Sequence, residues 1–292
     1  MVRRVCELAL FLGLLTAGIA CRSKPKPKPK PEAATASSAR AAPRLAPLSA
    51  NSWLVDLDVP GFGSAKLAVP VGAKQPRSIV IALHGVADRP EWACGAYRGI
   101  VGGNPFVLCP RGVKRKDLRA SEDRYTFGSA DDTARELRAA LTALKHEYGV
   151  YVAAGPVILG GFEVGADRAA QIAIREPSFF SRLVLIAPSK EAWPSSLASL
   201  FGRQGGELVL FGCGPARQSE TAWQVELTKL GGAAARVAVL HDDAPDLGPD
   251  SVSRLGQFRS FLEATKAELV KPQNLTGNAL PLGGPVLGRP KP

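Results

Sequence analysis

The sequence predicts an α/β domain: a mostly parallel central sheet with helices on both faces. Three observations carry that expectation. From residue 53 onward, short apolar runs rich in Val, Ile and Leu alternate with stretches of helical period. The central runs, such as "SIVIALHG", "PVILGGF" and "ELVLFGCG", are apolar along nearly their whole length, as strands buried on both faces must be. Only the first two runs are close enough in sequence to pair antiparallel without a crossover.

Taken in order, "SWLVDLDV" and "SAKLAV" form that opening antiparallel pair, and "SIVIALHG" is the first buried strand. A loop-helix excursion leads to the next strand, "PFVLCPRG". "DDTARELRAALTALKHEYG" sets Leu137, Leu141 and Leu144 on one helical face and ends at Gly149. Ser129 is suited to starting that helix. "PVILGGF" is a short strand running into a glycine-framed turn, and "GADRAAQIAIREP" is the helix after it. "RLVLIAP" and "ELVLFGCG" are further buried strands. "TAWQVELTKLGG" is a helix stopped by Gly231 and Gly232, "ARVAVL" is the last strand, and "SVSRLGQFRSFLEATKAEL" is the closing helix. No internal repeat is visible.

The flanks differ in composition. Residues 1–20 join Arg3 and Arg4 to an apolar stretch too short to span a bilayer, which is the form of a secretory signal. Ala17 to Cys21 resembles a bacterial lipobox, with Gly18 where leucine is commonest, so lipidation of Cys21 is expected. The competing reading is an ordinary signal cleaved near Ala20. Residues 21–50, "CRSKPKPKPKPEAATASSARAAPRLAPLSA", read as a disordered tether: Lys-Pro repeats favour an extended chain, and the Ala/Ser/Pro continuation has little apolar surface to bury. The folded domain is expected over 51–270, and the Pro/Gly-rich stretch 271–292 reads as a disordered tail. These features imply an exported bacterial protein held by its lipid at the cell envelope, with the outer membrane favoured because Arg22, not Asp, follows Cys21.

The formal charge of +11 is misleading as a signal for nucleic acid. Residues 1–48 hold nine Lys/Arg against two Glu, and 271–292 hold three basic residues and no acid; 49–270 hold 25 basic and 24 acidic residues. A nearly neutral domain has no field to steer polyanions, so nucleic acid is excluded as the expected partner. The basic run Arg111–Arg119 reads as a solvated loop.

Export permits disulfides. Of five cysteines, Cys6 leaves with the signal and Cys21 is assigned to lipid. Cys94 and Cys109 flank one loop-helix-strand excursion and are the favoured pair, a closure worth about 3 kcal/mol in the chain-entropy model. Cys213 is left over as a buried thiol or a competing partner.

"ALHGVADRPEW" and "LGGFEVGADRAA", in this order of strands, resemble the α/β-hydrolase fold from residue 53 to the closing helix. More narrowly, "HGVADRPEWACGAYRGIV" with "FVLCPRGV" is similar to a group of secreted or lipidated bacterial hydrolase-like proteins. The resemblance implies an oxyanion loop opening at His84-Gly85 and a nucleophile elbow at Gly161-Phe162-Glu163-Val164-Gly165. It also implies a serine nucleophile, an acid after a late strand, and a histidine after the last one. Here Glu163 stands at the nucleophile position. A carboxylate can attack, as aspartate does in some relatives, but glutamate is a methylene longer, and an ångström of misplacement costs about 100-fold. The simpler role for Glu163 is an anion at a helix N-terminus, worth about 0.3–1 kcal/mol. The turn after "ELVLFG" has no carboxylate before Glu220; Glu191, one strand earlier, is a weak substitute. Of three histidines, His146 ends a helix, His84 belongs to the oxyanion loop, and His241 directly leaves the last strand, closer to it than the pattern requires.

Three departures together point to a degenerate site that binds an envelope component, small molecule or protein around His84, Gly85, Glu163 and Val164. The alternatives are an active esterase-type hydrolase, and a hydrolase using Glu163 as a carboxylate nucleophile with His241. Ser129 and Ser189 are spare hydroxyls off the elbow. Asp242, Asp243, Asp246 and Asp250 read as a solvated acidic loop. No phosphate loop, dinucleotide fingerprint or zinc spacing is present, so neither cofactor nor metal is expected.

Overall fold

A computed structural model describes residues 45–213 and 217–239. The signal, Cys21, most of the tether, His241, the Asp242–Asp250 loop, the closing helix and the tail lie outside the described residues. Leu48 is buried, and the amides of Leu45 and Leu48 donate to the carbonyls of Lys74 and Ala73.

The chain runs through β1 (Leu54–Leu57), β2 (Ala65–Ala68), β3 (Ile79–Leu83), α1 (Pro90–Val101) and β4 (Phe106–Cys109). A small hairpin follows, β5 (Val113–Lys114) with β6 (Tyr125–Thr126). Then come α2 (Ala130–Tyr148), β7 (Ile158–Phe162), α3 (Val164–Ala173), β8 (Arg182–Ile186), α4 (Ser195–Arg203), β9 (Leu208–Cys213), α5 (Gln218–Leu230) and β10 (Ala234–Val239). One sheet of eight strands has the order β1-β2-β4-β3-β7-β8-β9-β10. β1 pairs antiparallel with β2, and β2 with β4; every other pairing in this sheet is parallel. Each strand expected from the sequence is present, including the opening antiparallel pair.

β3, β4, β7 and β9 are buried along their whole length because both sheet faces are covered. α2 to α5 pack on one face, against Ile81, Leu83, Leu108, Leu159 and Phe211, whereas α1 packs on the other against Val80, Val107 and Ile158. α2 begins where expected: the Ser129 side chain accepts from the amide of Asp132 at 3.1 Å. Leu137 and Leu144 are fully buried on its inner face, each worth about 1.5–3 kcal/mol. A disulfide joins Cys94 of α1 to Cys109 at the end of β4, with Cα atoms 5.8 Å apart, and Cys213 is a buried thiol.

The strand order fixes where a site belongs. From β3 the chain crosses by α1 to β4 on one side, and from β7 it crosses by α3 to β8 on the other. At such a switch point the loops leaving adjacent strands separate and open a crevice at their carboxyl ends. In this chain those loops begin at His84 and Glu163.

Candidate active site

Glu163 occupies the turn between β7 and α3 with φ 48° and ψ −118°. Such a conformation costs a residue with a side chain about 1–3 kcal/mol and persists only where its surroundings impose it. The surroundings here are backbone. The Glu163 amide donates to Ile186 O on the neighbouring strand at 3.0 Å, and the Asp167 amide donates to Glu163 O at 3.0 Å. A Cβ on Gly161 would lie 2.5 Å from the amide nitrogen of Ala166, and one on Gly165 would lie 2.5 Å from Leu83 O. Both frame glycines are therefore required by close packing, as the motif implied. Val164, the first residue of α3, is half-buried beside the turn.

Glu163 is the N-cap residue of α3. Its carboxylate makes no capping hydrogen bond to α3. It turns across the crevice instead, so that Oε2 stands 3.0 Å from where a Cβ on Gly85 would be, with the Phe162 ring alongside. The carboxyl group of the elbow thus sits against the loop that follows β3.

That loop is held by its own side chains. Asp88 accepts from the amides of Gly85 at 3.4 Å and Arg89 at 2.7 Å, and Ala87 between them adopts φ 54°. Asp88 also bridges Tyr125 of β6, backbone to backbone, which ties the loop to the hairpin. His84 is fully buried beneath it, stacked on Phe127 with ring centroids 4.5 Å apart. Its Nδ1 lies 2.9 Å from Gly85 O and its Nε2 2.8 Å from Arg111 O. Both ring nitrogens thus face backbone carbonyls. Burial pushes its pKa below the ordinary histidine range, against the pull of the two carbonyls, Glu136 and Glu91. Glu136 of α2 is also buried; its Oε1 accepts from the amides of Arg111 and Gly112, each at 2.9 Å. Burial raises the Glu136 pKa, and those amides oppose it.

The other candidates scatter. Glu191 lies exposed in a single 3-10 turn, Lys190–Ala192. Ser189 follows β8, with its amide held by Asp167 Oδ1 at 2.7 Å. Ser129 caps α2, and His146 is in the last turn of the same helix. Beyond β9, where the resemblance implied an acid, Arg217 donates to Pro188 O at 3.0 Å and Ala187 O at 3.3 Å. Burial pushes the Cys213 thiol up, away from reactivity. The basic run lies on the hairpin, where Lys114 pairs with Asp123 at 3.3 Å and Arg115 with Asp117. Among the described residues no group of three His, Cys, Asp or Glu could hold a metal, and no helix is long and apolar enough to cross a membrane.

Asp88, Glu136, Asp167 and Arg217 are site-shaping residues that the sequence did not single out. Only Glu136 carries a readable signal: an acid four residues before Ala140 and eight before Leu144, on the buried stripe of α2.

Solved structures share this architecture. The chain is similar to an S-formylglutathione hydrolase from Agrobacterium tumefaciens at 15% identity and TM-score 0.50, covering 77% of this chain and 99% of that one. A dienelactone hydrolase from Anabaena variabilis is similar at 15% identity and TM-score 0.50, covering 73% of this chain and 96% of that one. No family model matches the chain, and no curated protein matches it. At such identities the likeness is one of fold: the chain has the α/β-hydrolase fold, and its chemistry rests on its own residues.

Proposed function

We propose that this chain is an exported protein, lipid-anchored at Cys21, whose α/β-hydrolase-fold domain is catalytically degenerate. It acts by binding an envelope component, small molecule or protein in the crevice around His84, Gly85, Glu163 and Val164. One observation carries this reading: the Glu163 carboxylate turns onto Gly85, in the loop that would receive the developing negative charge of an ester. Catalysis by this fold depends on hydrogen-bond donors aimed at that charge, and a carboxylate there opposes it. The placement of both His84 nitrogens against carbonyl groups agrees with the same reading.

A second reading has its own support. The strained backbone of Glu163 is retained at the elbow, as a working carboxylate nucleophile would require, with His241 activating water. An esterase-type hydrolase working through another hydroxyl is the remaining alternative.

The test is restoration. Glu163→Ser removes the charge and supplies the missing hydroxyl, but no base. The variant is expected to turn over short-chain chromogenic esters no faster than the parent chain. A gain of a thousand-fold or more would show that the base is present and overturn the degenerate reading.

A further inference from the structure

His84 is wedged between two groups that only accept hydrogen bonds. Gly85 O faces Nδ1 at 2.9 Å and Arg111 O faces Nε2 at 2.8 Å. Neutral imidazole carries one N–H, so it can serve one carbonyl while its bare nitrogen faces the other; imidazolium carries two and serves both. The two carbonyls belong to different loops. Gly85 is in the loop after β3, against Glu163, and Arg111 opens the segment leading into the β5–β6 hairpin.

Glu136 reaches the same segment from α2. Its Oε1 takes the amides of both Arg111 and Gly112, so a buried anion lies across one short peptide stretch from the ring. Other charged groups lie nearby among the described residues. Glu91 of α1 adds negative potential, Glu163 lies beside Gly85, and Asp88 is engaged by the amides of Gly85 and Arg89. The Arg111 guanidinium stacks on Tyr125, 5.1 Å from its centroid. Phe127 packs its apolar ring against His84.

We propose that His84 and Glu136 form a buried, proton-operated clasp that positions Gly85 relative to the hairpin segment at Arg111. With one ring proton, His84 holds one of the two loops; with two, it holds both, and Glu136, across the Arg111–Gly112 stretch, favours the second proton. Burial opposes that proton, so it arrives on acidification below the ordinary histidine range. The clasp operates whether the crevice binds a ligand or transforms one.

Nitrogen-15 NMR of the histidine rings tests this on the full chain carrying Cys21→Ser, which prevents lipidation. The chain has three histidines, and His146→Gln with His241→Gln leaves His84 alone. One ring N–H is expected at neutral pH, with a second appearing only below the ordinary histidine range. Over the same range, the protection of the Gly85 and Gly112 amides against exchange, relative to the unstructured rate at each pH, is expected to rise several-fold. Glu136→Gln keeps an acceptor for both amides but removes the charge, and is expected to move the His84 midpoint to lower pH. Two ring N–H groups already present at neutral pH would overturn the proposal. So would the absence of proton uptake before acid unfolding, unchanged protection of those amides across the transition, or an unmoved midpoint in Glu136→Gln.

Discussion

A Cβ on Gly165 would stand 2.5 Å from the carbonyl oxygen of Leu83, because the first turn of α3 is packed directly on the end of β3. The contact is between backbones, so no rotamer change relieves it. Gly165→Ala is therefore expected to cost about 3 kcal/mol, at the upper end for an overpacked site. Urea unfolding reads the loss as a lower midpoint at unchanged slope. A variant as stable as the parent would mean that the elbow is not packed against β3.

The disulfide yields a second expectation. Cys94 and Cys109 are fully buried and close a loop 15 residues apart in sequence. Replacing both by alanine is expected to lower stability by about 3 kcal/mol, and the bond should resist mild reductant in the folded chain. Equal unfolding midpoints with and without the bond would contradict this.

Proton linkage gives a third. Burial holds the His84 pKa below its unfolded value, so the unfolded chain takes up the proton first as pH falls. The neutral ring's contribution is complete above the ordinary histidine range and is lost as pH falls through it to the lowered folded value. Glu136 has the opposite sign: burial raises its pKa, so its contribution is complete below the ordinary glutamate range and is lost as pH rises through the raised value. Closing the clasp in acid thus joins two loops while the domain as a whole loses stability. In His84→Gln the decline of the unfolding midpoint between neutral and mildly acidic pH should flatten. A decline parallel to that of the parent would assign the slope to other groups.

Much of the fold was legible because its strands are uninterrupted apolar runs; "SIVIALHG" and "ELVLFGCG" admit no exposed face. The elbow was legible for another reason, since Gly161 and Gly165 mark a contact that excludes any side chain. α4 was not legible: it is nine residues long, Ser-rich, and buries only Ala198 and Phe201. The β5–β6 hairpin has two residues per strand, too few to show a period. The supporting carboxylates were hidden by distance. Glu136 serves amides 24 and 25 residues away, and Asp167 serves one 22 residues away; a carboxylate bonded to backbone leaves no partner side chain to notice. Glu163 sits at the turn where the motif puts it, but the direction of its carboxylate, toward Gly85 rather than α3, depends on a loop nearly eighty residues earlier in the chain.

The most direct measurement is ester turnover by the purified full chain carrying Cys21→Ser, beside the same chain with Glu163→Ala, across short-chain chromogenic esters. A degenerate crevice predicts equal rates in both, at the level of the uncatalysed reaction. Turnover by the parent that disappears in Glu163→Ala would contradict it and make Glu163 a catalytic residue.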